Sequence, residues 1–93
     1  MCDALLADMP GRMTFPINLA LTGPGLCVSE DDVRTAMRFA FQSLKMVVEP
    51  GGSVALAAVL AGRLETRGRT TVVVLSGGNV DEELFAQIQT EPN

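Results

Sequence analysis

The stretch TTVVVLSGGNVDE, residues 70–82, decides how this chain is read. Two threonines, three valines and a leucine form a run of β-branched and apolar residues. Ser76, Gly77, Gly78 and Asn79 then interrupt it, and Asp81 and Glu82 open an acidic patch. A continuous apolar run of this length predicts a buried strand, over 70–76, of the kind found in parallel sheets covered on both faces. In an open α/β fold the carboxyl edge of such a strand is where ligands bind. Glycines let a ligand approach the backbone there, and the following helix presents free N–H groups. Two glycines beside an asparagine also make an ordinary tight turn, so the flanking segments must decide between the two.

After the turn, Asp81 or Asn79 can cap a helix over about 81–90, with Glu82 and Glu83 in its first turn and Leu84, Phe85 and Ile88 facing inward. Before the run, EPGGSVALAAVLAGRL predicts a helix over about 50–63. Pro50 suits its first turn, where a missing N–H loses nothing, and Gly62 ends it. From Val54 to Ala61 this helix is apolar all round, so it needs cover on every side.

The clearest helix start is SEDDVRTAMRFAFQSLKMV, giving a helix over about 29–47. Ser29 can accept from the amide of Asp32, and Glu30, Asp31 and Asp32 set negative charge against the positive end of the dipole. Val33, Ala36, Met37, Ala40, Phe41 and Leu44 recur at helical spacing, while Arg34, Arg38, Gln42 and Lys45 fall to the other side. LCVS predicts a short strand at about 26–28, and TFPINLAL a short helix despite Pro16. The residues alone therefore describe a single α/β domain over 1–93, with three main helices, one lesser helix, a buried strand and a short strand, and no internal repeat.

Composition sets the outer bounds. At 93 residues the chain can bury roughly 60 to 65% of its unfolded surface. Its 47% apolar content argues against disorder, and 4% aromatic content without Trp or Tyr predicts an aliphatic core. A net charge of −4 with no cluster of Lys or Arg disfavours nucleic acid or an anionic membrane as partner. Two isolated cysteines and no histidine leave the common zinc ligand sets unassembled, so no metal is expected. No apolar run is long enough to span a bilayer, and the first residues lack the form of a signal peptide, so a cytoplasmic chain is expected.

Few residues offer chemistry. Glu49, lodged between two valines and Pro-Gly-Gly, could hold a cationic group or accept a hydrogen bond near a ligand; it could equally be an acid favoured at a helix start. Lys45, the single lysine, falls on the charged flank of its helix and reads as a solvated charge. Without histidine, and with two cysteines that lack an activating neighbour, no nucleophile and base are paired.

VVEPGGSVALAAVLAGRL followed by TTVVVLSGGNVD resembles the carboxyl-terminal part of the serine/threonine dehydratases, pyridoxal-phosphate enzymes of fold type II, the tryptophan synthase β type. VSEDDVRTAMRFAFQSLKMVVEP is similar to the helix that precedes their Glu-Pro motif, and CDAL with PGRMTFPIN to the segment leading into it. The resemblance implies a partial three-layer fragment of the large domain of those enzymes. It implies that Ser76 gives its hydroxyl to the pyridine nitrogen of pyridoxal phosphate, that Gly77 and Gly78 let the backbone pass close to the ring, and that Glu49 lies near the cofactor. A neutral hydroxyl does not hold that nitrogen protonated, so the ring is a milder electron sink and β-elimination is favoured. The implied reaction of the full-length parent is deamination of L-serine or L-threonine to a 2-oxo acid and ammonia.

The family's Schiff-base lysine and its phosphate-cradling glycine run have no counterpart in the chain. It is therefore expected to be inactive alone and to bind little or no cofactor by itself. The alternative expectation is a free-standing, non-catalytic domain that binds a small ligand or a partner with the same edge. In either case an unpaired strand edge and the apolar helix 54–61 predict a homo-oligomer, a dimer first.

Overall fold

The computed structural model describes residues 1–92, and its regular elements are all helical. In chain order they are α1 (Thr14–Leu21), α2 (Glu30–Leu44), α3 (Val54–Leu60) and α4 (Glu82–Thr90), with single 3-10 turns at Asp3–Leu5 and Gly51–Ser53. Among the described residues there is no strand and no sheet, which overturns the α/β expectation, both the buried strand at 70–76 and the short one at 26–28. The reason lies in what a strand requires. β-branched residues fit a pleated, half-buried surface, but a ladder also needs a neighbour's N–H and C=O groups, and among the described residues no main chain pairs with 70–75. What survives is the side-chain alternation of a strand: Val73 and Leu75 pack on the core, while Val72 and Val74 are 85% and 70% exposed.

The helices follow their local signals. In α2 the Asp32 N–H donates to Ser29 Oγ at 3.1 Å and the Ser29 N–H donates to Asp32 Oδ2 at 2.9 Å, a reciprocal cap that satisfies two otherwise free amides. The helix stops at Leu44, short of the expected 47, because Lys45 turns left-handed at φ 59° and the Met46 N–H closes back on the Ala40 carbonyl at 3.0 Å. The helix expected over 50–63 divides into the 3-10 turn and the short α3, which Gly62 ends at φ +72°. Asp81 caps α4, its Oδ2 accepting from Leu84 N–H at 2.9 Å.

The core is the junction of α2 with α3 and α4. Val33, Ala36, Met37 and Ala40 of α2 meet Leu56 and Ala57 of α3, Ile88 of α4, and Val48 from the loop after α2. Met37 and Ile88 are fully buried, each contributing about 1.5–3 kcal/mol. Phe41 and Leu44, expected inward, remain partly exposed, although Phe41 meets Phe85 edge to face at 5.3 Å. Arg34 and Arg38, expected in solvent, are drawn under the end of α4, where Arg34 Nη1 reaches Glu91 Oε1 at 2.7 Å and Arg38 Nη1 donates to the Ile88 carbonyl at 3.2 Å.

Cover is incomplete elsewhere. The expected short helix α1 forms, but it buries no residue. The radius of gyration is 14.3 Å, against about 12 Å for a compact domain of this length. The accessible surface is 7049 Å², against about 5,200 Å² for a compact monomer of this size.

Candidate functional site

The loop after α2 and the loop before α4 meet as two backbones. Val48 and Pro50 are buried, and the turn that follows is closed within itself: Gly52 N–H donates to the Glu49 carbonyl at 3.1 Å, Ser53 N–H to the Pro50 carbonyl at 3.1 Å, and Ser53 Oγ to the same carbonyl at 2.9 Å. Two hydrogen bonds then join the loops. The Glu49 N–H donates to the Gly77 carbonyl at 3.2 Å, and the Ser76 N–H donates to the Gly52 carbonyl at 3.3 Å. The Val80 N–H folds back on the Gly78 carbonyl at 2.9 Å and turns the chain into α4.

Ser76, Gly77 and Gly78, and Glu49, which the residues suggested as two separate candidates and the resemblance grouped as one set, thus lie in one place. Gly77 adopts φ +78°, a conformation that strains any other residue, and its Cα faces the Glu49 carboxylate, which occupies the space a Cβ would take. A Cβ on Gly78 would stand 2.9 Å from the Val47 carbonyl oxygen. Ser76 and both glycines are exposed, Glu49 is half-buried, and among the described residues the Ser76 hydroxyl has no partner within the chain. It is available to a ligand.

The other parts of a cofactor site are not gathered here. Asp81 occupies the start of α4, with Glu82 and Glu83 in its first turn, so the free amides expected there face three carboxylates, a poor seat for a phosphate. Lys45 is exposed and its Nζ donates to the Gln42 carbonyl at 2.8 Å, one turn back on its own helix end. Burial pushes the Cys2 thiol above its ordinary range, which keeps it protonated, and Cys27 is exposed. An open apolar groove of about 510 Å³ between α3 and residues 71–74, lined also by Leu26 and Val28, lies apart from this chemistry: none of the four site residues lines it. The residues therefore fit the ring-nitrogen end of pyridoxal phosphate, a free hydroxyl beside a glycine backbone, and do not fit its phosphate end.

Sequence reading missed Gly52. It counted only as half of a turn, yet its carbonyl holds Ser76, and a Cβ on it would overlap the Ser76 carbonyl oxygen. The signal was a second glycine pair, at 51 and 52, upstream of the pair at 77 and 78.

Comparison of the whole sequence with curated proteins gives the family. The chain belongs to the threonine dehydratase and ammonia-lyase family, as a segment of it. It is 37% identical over 90 residues to the catabolic L-threonine dehydratase TdcB of Escherichia coli, covering 95% of this chain and 27% of that protein. It is 40% identical over 78 residues to the L-threo-3-hydroxyaspartate ammonia-lyase of a Pseudomonas species, covering 84% of this chain and 24% of that one. With the L-threonine ammonia-lyase of Thermotoga maritima the identity is 31% over 88 residues, 95% of this chain and 22% of the relative. The chain thus spans about a quarter of the length of the curated relatives it matches. No family model and no solved structure matches it significantly. No helix among the described residues is long and apolar enough to cross a membrane.

Proposed function

We propose that this chain supplies the serine-glycine edge of a pyridoxal-phosphate site, and that the chemistry it serves is deamination of a hydroxy amino acid, L-serine or L-threonine, to a 2-oxo acid and ammonia by the longer protein. The observation that carries the reading is the pair of hydrogen bonds, Glu49 to Gly77 and Ser76 to Gly52, which joins the two family motifs and leaves the Ser76 hydroxyl free. The cofactor, when bound, supplies the electron sink for loss of the substrate's α-proton. Ser76 meets the ring nitrogen with a neutral hydroxyl, which orients the ring without adding charge. Gly77 and Gly78 let the backbone lie close to it, and Glu49, held against Gly77, lines the approach.

By itself the chain is expected to turn over nothing, because its single lysine is exposed at a helix end and the described residues gather no cradle for the phosphate. A titration of the purified chain with pyridoxal phosphate, followed by cofactor fluorescence, tests the site: weak saturable binding that Ser76→Ala abolishes is expected. Identical titrations of the two proteins would remove Ser76 from the cofactor. Release of pyruvate or 2-oxobutanoate by the pure chain would contradict its inactivity.

The excess surface supports a second part of this reading, association. Roughly 1,900 Å² beyond a compact monomer is about twice what one partner contributes to a standard interface. In isolation the chain is expected to form a homodimer that covers this apolar surface. A folded monomer at micromolar concentration in sedimentation would refute that.

A further inference from the structure

The two glycines of the Pro-Gly-Gly turn are not equivalent. A Cβ on Gly51 would meet the side chains of Leu5 at 3.5 Å and Ala4 at 3.8 Å, ordinary van der Waals contact. A Cβ on Gly52 would overlap the Ser76 carbonyl oxygen and stand 2.8 Å from the carbonyl carbon and 3.3 Å from the Gly77 oxygen. Backbone conformation is not the reason, since neither residue is among the glycines with positive φ. Space is the reason, and the neighbour at Gly52 is main chain, which cannot swing aside as a side chain can. Gly52 is buried, its own carbonyl accepts the Ser76 amide, and the Glu49 amide holds the Gly77 carbonyl one residue further on.

We infer that Gly52 is a positioning residue that fixes where the Ser76 hydroxyl stands. With no side chain at 52, the Ser76–Gly77 peptide lies directly on the turn. With one, that peptide is displaced and the hydroxyl moves with it. The inference deepens the function proposed above and rests on it for what the hydroxyl touches, not for where the hydroxyl is. Its specificity lies in the contrast between two neighbouring glycines, which a general need for a flexible turn does not produce.

The test compares Gly52→Ala, Gly51→Ala and Ser76→Ala with the parent sequence in amide hydrogen exchange, far-ultraviolet circular dichroism and titration with pyridoxal phosphate. In the parent sequence the Ser76 and Glu49 amides should exchange more slowly than those of Thr70 and Thr71, despite the exposure of Ser76. Gly52→Ala should keep the helical signal, lose the protection at Ser76, and weaken cofactor binding on the order of tenfold to a hundredfold, the range expected for a misplaced contact group. Gly51→Ala should match the parent in all three. Unchanged Ser76 exchange in Gly52→Ala, or equal effects of the two glycine variants, overturns the inference. Should the chain bind no cofactor at all, the function proposed above fails, while the exchange comparison still judges the role of Gly52. Should Gly52→Ala not fold, Gly78→Ala decides, because its Cβ meets the Val47 carbonyl at 2.9 Å: partial loss of Ser76 protection supports the interlock, and none overturns it.

Discussion

Helices α2 and α1 start from opposite positions. α2 opens on a reciprocal cap, carries its apolar residues on one face, and buries Val33, Ala36, Met37 and Ala40; α1 opens on Met13 with no side-chain cap, is apolar almost throughout, and buries nothing. Phe15, Ile17, Leu19 and Leu21 all remain exposed. An isolated helix of eight residues is marginal in water, so the order of α1 depends on whatever covers it, whereas α2 is held by contacts inside the chain. Apolar content alone therefore says little about stability. What counts is whether the apolar face meets another one within reach.

The comparison can be broken most directly by one substitution in each helix. Met37→Ala removes a fully buried side chain at the junction of α2, α3 and α4 and is expected to cost about 2–5 kcal/mol in urea unfolding. Ile17→Ala in α1, where the side chain is 58% exposed, is expected to change stability by less than about 0.5 kcal/mol. Similar costs at the two sites would mean that α1 is covered in solution.

The cap offers the next test. Ser29→Ala should cost about 1 kcal/mol by freeing the Asp32 amide. The backbone amide and hydroxyl of Ser29, with a smaller contribution from Arg63, hold the Asp32 carboxyl below the usual aspartate range. A carboxyl lowered on folding contributes stability above its unfolded pKa, and that contribution is lost as pH falls through the folded value. Thermal melts should therefore show stability falling in acid, with a shallower fall for Asp32→Asn; an unchanged acid limb would mean that the cap bonds do not persist in solution.

A smaller effect than that of the cap is expected where α2 ends. Lys45 adopts a left-handed conformation that favours glycine, so Lys45→Gly should stabilise the chain, by about 0.5–1 kcal/mol before the loss of the bond to Gln42. Destabilisation in the same urea assay would show that this bond outweighs the backbone strain.

Much of the helical framework was legible because its signals are local. The Ser29 cap, the Asp81 cap and the glycine pair at 77 and 78 each act within a few residues, and each stands near where the sequence put it. The role of Gly52 was not legible, since the atom that excludes its side chain belongs to Ser76, 24 positions further along the chain. TTVVVL was misread for a related reason. Its alternation is written in the side chains, but its pairing depends on hydrogen bonds from a second main chain, and none pairs with it among the described residues.

The sequence by itself determined where α2 and α4 begin, most of the face of α2 that turns inward, and which two motifs carry the resemblance, because capping, periodicity and glycine geometry are short-range. Only the tertiary structure decided that those motifs touch through main chain, that α1 and the outer side of residues 72–74 stay open, and that no sheet forms among the described residues. Hydrogen-bond ladders and buried faces need a second element at contact distance, and composition cannot say whether one is there.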